Sequence, residues 1–283
     1  MEDIKIFQNK ALEMYEYFSK FCEENNLRYY VCGGACIGAV RHNGFIPWDD
    51  DIDVFMPRPD YEKLDKIWNN KGDLENYSLC RTDKNNNVYD GGTLLKDNNT
   101  TFINKHSIDK DIHHGYMLDI IPLDGCAPKG IKRSMQKIHA ATYSLFNVQR
   151  LPDNQGKIIR FLSKLILGVF RSKNIRYKIW KSAEKKMSKY DFDNSDYITE
   201  LVTGFRYMKN EYPKEVFNGF KMLDFEDTQV KVPNDYDKYL KMAFGDYMSL
   251  PPVEDRKPKH NVVFFDMNNS YKKYRNIKYL VGE

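Results

Sequence analysis

A double glycine in this chain is followed, a short distance along, by a group of closely spaced aspartates. The glycines are Gly33 and Gly34, and the aspartates are Asp49, Asp50, Asp51 and Asp53. The segment Asp-Ile-Asp-Val at 51–54 alternates polar and apolar residues, so as a strand it points two carboxylates to one face. Neighbouring carboxylates repel each other, and a divalent cation between them lets both stay ionised. The pattern therefore predicts a metal site.

The glycines suit a phosphorylated ligand. Gly33 and Gly34 allow the backbone to approach a ligand closely, and the N-terminus of the helix expected after them favours a phosphate. A lone Gly-Gly is usually only a turn. Joined to the aspartate strand by a short helix, it becomes a more specific signal, and the two parts together predict a site for a metal and a phosphorylated nucleotide.

A calcium loop or a solvated acidic face are the alternatives for the aspartates. An EF-hand loop counted from Asp49 requires Gly at its sixth position and Glu at its twelfth, where this chain has Val54 and Asp60. Counted from Asp51, the glycine position is occupied by Met56. A solvated face does not normally alternate with large apolar residues, so the metal site is favoured.

A further aspartate interrupts an apolar run at 117–123. Asp119 lies within Met-Leu-Asp-Ile-Ile-Pro-Leu, where a buried charge is costly unless it is compensated. This is the pattern expected of a third metal-binding carboxylate on a neighbouring strand. Asp124, beyond the proline, is expected in a turn, and His113 and His114 are expected to be structural or to face solvent.

Helices and strands must bring these residues together. Apolar residues at three- and four-residue spacing predict a helix over 2–24, and further helices are expected over 60–69 and 235–243. Strands are expected at 27–32, 51–54, 117–123 and 196–204, with hairpins formed by 92–97 with 100–103 and by the two halves of 220–232. The region 129–190 is helical in pattern.

Length and composition indicate a folded globular chain. It has 283 residues, 41% hydrophobic and 14% aromatic, and no convincing linker, so a single domain over 1–283 is predicted. The net charge of +4 is mild, and no nucleic-acid partner is expected. No signal peptide or membrane-spanning run is evident, which favours a cytoplasmic location.

The spacing Cys32-x3-Cys36 near His42 could suggest zinc, but small buried cysteines are the favoured interpretation.

Positive charge is concentrated in one part of the helical region. The segment 157–189 contains eleven lysines and arginines and a single acidic residue, Glu184, and it includes an apolar run at 161–170. The whole helical region 129–190, of which this segment is the strongly basic part, is predicted to be a basic helical insertion. A basic amphipathic helix can lie on the inner, anionic face of a membrane, and it can equally be a core helix with a solvated basic face.

The segment GAVRHNGFIPWDDDIDVFMPRPDY strongly resembles the LicD family, which includes bacterial phosphocholine transferases and the fukutin-type enzymes of animals. The patterns Lys-Asp-x-x-Thr-Thr from Lys96, Asp-Ile-x-Pro-Leu-Asp from Asp119, and PNDYDKYLKMAFGDYMSLPP at 233–252 are also similar to the family. The resemblance implies an α+β fold with a polymerase-beta-like nucleotidyltransferase core, a mixed sheet flanked by helices, and a helical extension. One departure is Ala35-Cys36-Ile37, where the family commonly has Thr or Ser followed by Leu-Leu.

The resemblance implies transfer of a phosphorylated alcohol from a CDP-linked donor to a sugar hydroxyl, with release of CMP. The leading version moves phosphocholine from CDP-choline to a cell-surface glycan or its precursor, such as lipopolysaccharide or teichoic acid, whose acceptor can be lipid-linked. Phosphoethanolamine, glycerol phosphate and ribitol phosphate stay open.

Three carboxylates are expected to be catalytic and to hold one or two Mg²⁺ or Mn²⁺ ions: Asp51, Asp53 and Asp119. The residues expected to bind the substrate are Gly33, Gly34, Arg41, Asp50, Lys96, Arg256 and His260. Lys96 could instead be a solvated strand lysine. The roles of Arg256 and His260 are implied by the resemblance, because the family commonly has a basic residue and a histidine here that close the site against phosphate; the alternative is a surface tail.

Two other function classes fit the same residues. A nucleotidyltransferase that moves NMP from an NTP to a small substrate needs the same three carboxylates but releases diphosphate. A non-catalytic protein that binds a glycan or a nucleotide has no need to keep three mutually repelling charges, which counts against it.

Overall fold

A computed structural model describes residues 2–150, 156–258 and 260–281. The chain has an α+β fold that divides into two compact units. The first comprises Met1–Cys80, Leu94–Ile120 and Glu215–Glu283, and the second comprises Arg81–Thr93 and Ile121–Lys214. The predicted basic insertion at 129–190 lies inside the second unit, and the single domain stays a prediction. None of the helices in the described part of the chain is long and apolar enough to cross a membrane.

The first unit contains a β-sheet, and the N-terminal part of its chain forms three helices. The helices are α1 (Glu2–Glu24), α2 (Gly33–His42) and α3 (Arg58–Lys71). The strands are β1 (Tyr30–Cys32), β2 (Asp53–Pro57), β3 (Tyr77–Cys80), β4 (Thr93–Asp97), β5 (Thr101–Asn104) and β6 (Met117–Gly125). The sheet order is β1-β2-β6-β4-β3, so the strand that begins at Asp53 lies beside the strand that carries Asp119.

The N-terminal helix α1 and a group of C-terminal elements complete this unit. α1 buries Phe7, Ala11, Tyr15, Phe18 and Cys22, the apolar stripe that the sequence predicts. Near the C-terminus the chain adds a further helix and three strands. These are β9 (Phe220–Phe225), β10 (Thr228–Pro233), α7 (Tyr236–Phe244) and β11 (Val262–Asp266).

The second unit combines three helices with the end of β6. β6 continues into it, and from Leu123 onward it pairs antiparallel with β7 (Tyr197–Glu200), which pairs with β8 (Tyr212–Pro213). The helices are α4 (Ile131–Val148), α5 (Lys157–Val169) and α6 (Lys173–Met187). α4 and α6 pack together around Tyr143, Phe146, Trp180 and Met187.

Arg133 organises the polar interior of the second unit. This buried guanidinium donates hydrogen bonds to Glu211, Gln136 and Thr199 at 2.7–2.9 Å. It also donates to the carbonyl oxygen of Met208 at 2.9 Å. A buried charge needs such a complete set of partners, because each unsatisfied group would cost stability.

The structure corrects the predicted pairing of 92–97 with 100–103. β5 pairs antiparallel with β11, with Thr101 opposite Asp266, and not with β4. The segment His114–Tyr116 explains the difference. Asp97 N–H donates to the carbonyl of Tyr116 at 2.9 Å and Phe102 N–H donates to that of His114 at 2.6 Å. Both segments therefore hydrogen bond to this third piece of chain.

The structure also corrects the turn predicted at Asp124. This residue was expected in a turn, and it lies fully buried within β6, opposite Thr199 of β7. Pro122 does not end the strand because the pairing with β7 begins one residue later, at Leu123, where an N–H is again present.

Candidate active site

The double glycine lies where β1 ends and α2 begins. Gly33 has φ +57°, a left-handed conformation that glycine adopts without a steric penalty, and its N–H donates to the Tyr239 hydroxyl at 3.0 Å. A Cβ atom on Gly34 would lie 1.9 Å from Oδ2 of Asp49. The absent side chain of Gly34 thus makes room for one of the chain's own carboxylates.

Asp50 is the most buried of the clustered aspartates, with a relative exposure of 1%. Its Oδ1 contacts Nδ1 of His260 at 3.1 Å, and its backbone carbonyl accepts a hydrogen bond from the Tyr116 hydroxyl. Oδ2 of Asp51 lies 3.7 Å from the same nitrogen of His260. Ligand atoms of Asp50, Asp51 and His260 all lie within 4.8 Å of one another, a spacing that a metal ion could bridge.

His260 carries a positive charge at neutral pH. Burial alone would lower its pKa, but the hydrogen bond to Asp50 and the charges of Asp51, Asp50 and Asp119 raise the pKa to about 9. The imidazolium therefore offsets part of the negative charge around it.

Tyr116 shows how closely the carboxylates are gathered. Burial raises the pKa of its phenol well above the usual range, and the charges of Asp51, Asp50, Asp49 and Asp119 raise it further. One buried ring thus experiences the field of four aspartates. Asp119, far away in sequence, belongs to the same electrostatic group.

Asp53 and Asp119 occupy adjacent strands of the site. Asp53 opens β2 opposite Cys32 of β1, and its Oδ2 lies 3.4 Å from the position that a Cβ of Gly33 would take. Asp119 lies on β6, the next strand of the sheet. Ile52 and Val54 are fully buried while Asp51 and Asp53 are partly exposed, so the predicted alternation of faces is confirmed even though the strand begins at Asp53.

Two arginines lie close together beside the segment 247–251. Arg41 Nη1 donates to the carbonyl oxygens of Tyr247 at 2.7 Å and Ser249 at 3.2 Å. Arg256 Nε donates to the carbonyl of Pro251 at 2.9 Å, and its guanidinium lies 5.6 Å from the ring centre of Trp48. Burial and then the charge of Arg256 lower the pKa of Arg41. An anion bound between them would relieve this repulsion.

Lys96 is buried on β4 and is not a solvated lysine. Its Nζ lies 3.4 Å from the carbonyl oxygen of Gly115 and 3.6 Å from Sδ of Met117. His113 and His114 lie nearby and have lowered pKa values, about 3 and about 4, because of burial first and of the charge of Lys96 in addition. His113 Nδ1 accepts from the N–H of Gly115 at 3.0 Å, so both histidines are structural and neutral.

Sequence reasoning missed two tyrosines at the site. Tyr116 holds the backbone of Asp50, and Tyr239 holds the backbone of Gly33. Both act through hydroxyl groups on residues with no distinctive local pattern. Tyr116 directly precedes the strand that carries Asp119, which is the one signal that could have identified it.

Comparison with known proteins assigns the chain to a family. Residues 26–152 match the model for the LicD/FKTN/FKRP nucleotidyltransferase domain. The chain is 31% identical over 266 residues to the lipopolysaccharide cholinephosphotransferase LicD of Haemophilus influenzae, covering 88% of this chain and 93% of that protein. Shorter similarities link it to uncharacterized proteins of Rickettsia prowazekii (38% over 66 residues; 22% of this chain and 25% of that protein) and Rickettsia typhi (39% over 59 residues; 20% and 19%). The chain therefore belongs to the LicD family of transferases.

Proposed function

We propose that this enzyme transfers phosphocholine from CDP-choline to a sugar hydroxyl of a cell-surface glycan or its precursor, and releases CMP. The proposal is supported by the similarity to a lipopolysaccharide cholinephosphotransferase over nearly its whole length. The structural observation that carries it is the gathering of Asp50, Asp51 and His260, flanked in sequence by Asp49 and Asp53, whose carboxylates lie against Gly34 and Gly33. A diphosphate-linked donor needs this combination of cation-binding and phosphate-binding groups.

The residues present fit a divalent cation. Oδ2 of Asp50 is buried and accepts no hydrogen bond from any residue that the structure describes, and a hard oxygen ligand of this kind is what Mg²⁺ or Mn²⁺ binds. Asp51, Asp53 and Asp119 are proposed as the metal-binding carboxylates, and Oδ2 of Asp50 would be a further oxygen ligand. A bound Mg²⁺ would neutralise the negative charge of the diphosphate and of the departing CMP.

The other groups have roles that follow from their charge and position. Arg41 and Arg256 are proposed to bind phosphate oxygens of the donor, because two close guanidinium groups favour an anion between them. His260 lies beside Asp50 and Asp51 and is an imidazolium at neutral pH. It is proposed to donate a hydrogen bond to the transferred phosphate. Gly33 would let the backbone approach the donor, whereas the space at Gly34 is taken by the carboxylate of Asp49.

The proposed transfer exchanges one phosphorus–oxygen bond for another. The oxygen of the sugar hydroxyl attacks the phosphorus that carries choline, and its proton passes to the carboxylate of Asp119. The bond between this phosphorus and the oxygen bridging to CMP breaks, so that CMP leaves with the bonding electron pair. Positioning and electrostatics supply most of the acceleration.

The test is ligand-induced stabilisation followed by product analysis. Thermal unfolding is measured with Mg²⁺ and, in turn, CDP-choline, CDP-ethanolamine, CDP-glycerol, CDP-ribitol, CTP and ATP. A donor at about 100 times its Kd should add roughly 2.7 kcal/mol to the folded state. Asp53→Asn should abolish this Mg²⁺-dependent shift, whereas Asp227→Asn, on an exposed hairpin turn, should retain it.

The products then distinguish the remaining alternatives. Release of CMP from CDP-choline in the presence of a glycan acceptor supports the proposal. Release of diphosphate from CTP or ATP would replace it with a nucleotidyltransferase. Unchanged activity in both Asp53→Asn and Asp119→Asn would refute the proposed metal site.

A further inference from the structure

Helix α5 exposes nearly its whole surface. Of its thirteen residues, only Ser163 is buried and Leu167 is half-buried. The exposed residues include large apolar side chains, among them Ile158 at 76%, Phe161 at 61% and Val169 at 75%. The others are Ile159, Leu162, Leu165 and Ile166. So much exposed apolar surface on one helix marks an interaction site.

The apolar residues occupy one half of the helix circumference. At 100° per residue, Phe161, Leu165 and Val169 lie within the same arc as the other exposed apolar residues. Leu167 lies outside this arc and packs against the apolar cluster formed by α4 and α6. Three basic residues, Lys157, Arg160 and Lys164, lie between the apolar arc and this packed side.

The end of α5 is fixed to the rest of its unit. Arg176 of α6 donates to the carbonyl oxygens of Phe170 at 2.6 Å and Leu167 at 2.7 Å, and also to the side chain of Gln149. Arg171 donates to the carbonyl of Gly168 at 2.8 Å. These bonds satisfy the last carbonyl groups of the helix and hold its apolar half outward.

We propose that α5 docks on the surface of an anionic lipid bilayer. The segment 157–189 carries eleven basic residues against Glu184, and Glu184 is already paired with Arg81 and Lys181 at 2.8 and 2.6 Å. The surface therefore offers apolar insertion and positive charge together, which is the combination that an anionic membrane binds. Thirteen residues span only about 20 Å, so the helix lies in the plane of the interface.

A second copy of the chain is a poorer occupant for this face. In a two-fold symmetric dimer the same patch would face itself, and α5 has no acidic side chain that could pair with the basic residues of the other copy. Lipid headgroups supply the opposite charge instead. The proposal is independent of the reaction at the active site, because it concerns binding to vesicles without donor or acceptor.

The experiment is co-sedimentation of the full-length chain with vesicles. One set contains equal parts of phosphatidylglycerol and phosphatidylcholine, and the other contains phosphatidylcholine alone. The first variant combines Lys157→Gln, Arg160→Gln and Lys164→Gln, and the second combines Phe161→Ser with Leu165→Ser. The control for charge combines Lys84→Gln, Lys105→Gln and Lys209→Gln, three exposed lysines outside α5.

The wild type should bind the anionic vesicles far more tightly than the neutral ones, and high salt should weaken this binding. Each neutralised residue should cost about five-fold in affinity, or about 100-fold for the three together, and the control triple variant should stay close to wild type. The apolar double variant should lose roughly ten-fold or more on the same vesicles. Circular dichroism checks that all variants are folded.

Three outcomes would overturn the proposal. The wild type could stay in the supernatant with anionic vesicles. The two α5 variants could bind as well as wild type. Sedimentation velocity without lipid could show a dimer that the apolar double variant dissociates while vesicle binding is unchanged, which would assign the face to a second copy.

Discussion

Replacing Gly34 by alanine tests whether the double glycine exists to accommodate a carboxylate. The added Cβ would lie 1.9 Å from Oδ2 and 2.9 Å from Cγ of Asp49, far inside van der Waals contact. Oδ2 would have to move by about 1.5 Å to reach an ordinary contact distance. Asp49 is itself buried, so its carboxylate has little space into which it can move.

The expected effect of Gly34→Ala is a loss of about 1–3 kcal/mol in the free energy of unfolding, the usual cost of overpacking. The sign is informative, because Gly34 lies in helix α2, where alanine would otherwise stabilise by roughly 0.5–1 kcal/mol. Gly168→Ala is the matched control. Gly168 is also helical, and nothing lies within 4 Å of the position that its Cβ would take, so this change should stabilise.

Urea unfolding followed by circular dichroism measures these differences. Asp49→Ala removes the atoms that meet the new Cβ, so the double variant Gly34→Ala/Asp49→Ala should be more stable than the sum of the single effects by about 1–3 kcal/mol. Additive effects, or a Gly34→Ala variant as stable as wild type, would refute the idea that Gly34 is required by Asp49.

Three further predictions concern charged groups. Arg133→Met should lower the free energy of unfolding by about 3–5 kcal/mol in urea titrations, because the polar groups around this buried guanidinium lose their partner. The lowered pKa values of His113 and His114, about 3 and about 4, mean that the unfolded chain binds more protons below about pH 6.5, so stability should fall as the pH is lowered from there towards pH 4. His113→Asn should flatten this dependence in urea titrations at a series of pH values. His260→Ala should lower the melting temperature measured without metal, because the buried carboxylate of Asp50 loses its charged partner, and addition of Mg²⁺ should restore part of the loss.

Local patterns predicted the elements that are set by local physics. The apolar stripe of α1, the hairpin around Glu226 and Asp227, and the helix predicted over 235–243 (observed as α7) all agree with the structure. Each of them is encoded within a short stretch of chain, by a helical period or by a turn. The membership in the LicD family is likewise confirmed, because the quoted motifs are contiguous in sequence.

Pairing between distant segments could not be read in the same way. β5 has four buried residues, which fits pairing with either β4 or β11 equally well. The choice is made by the segment His114–Tyr116, whose carbonyl groups take the N–H bonds of both Asp97 and Phe102. No pattern near β5 contains this information. The same limitation explains Asp124, whose strand is extended by pairing with a segment that lies 75 positions further on, at Thr199.

The position of Asp50 shows why the sequence predicts only part of the site. The alternation rule applies to Asp51 and Asp53, but the chain just before them bends, and three distant residues fix that bend. Gln8 Nε2 donates to the carbonyl of Asp49 at 2.8 Å, the Tyr116 hydroxyl donates to that of Asp50, and His260 holds the Asp50 carboxylate at 3.1 Å.

These partners are separated from the aspartates by 41, 66 and 210 positions. The acidic group is therefore assembled only when α1, the segment before β6 and the segment before β11 have all packed. The repulsion among these carboxylates is offset in the folded state by the imidazolium of His260, so the carboxylates are held in place without a bound ligand. A site organised in this way needs little of a ligand's binding energy to order its own groups.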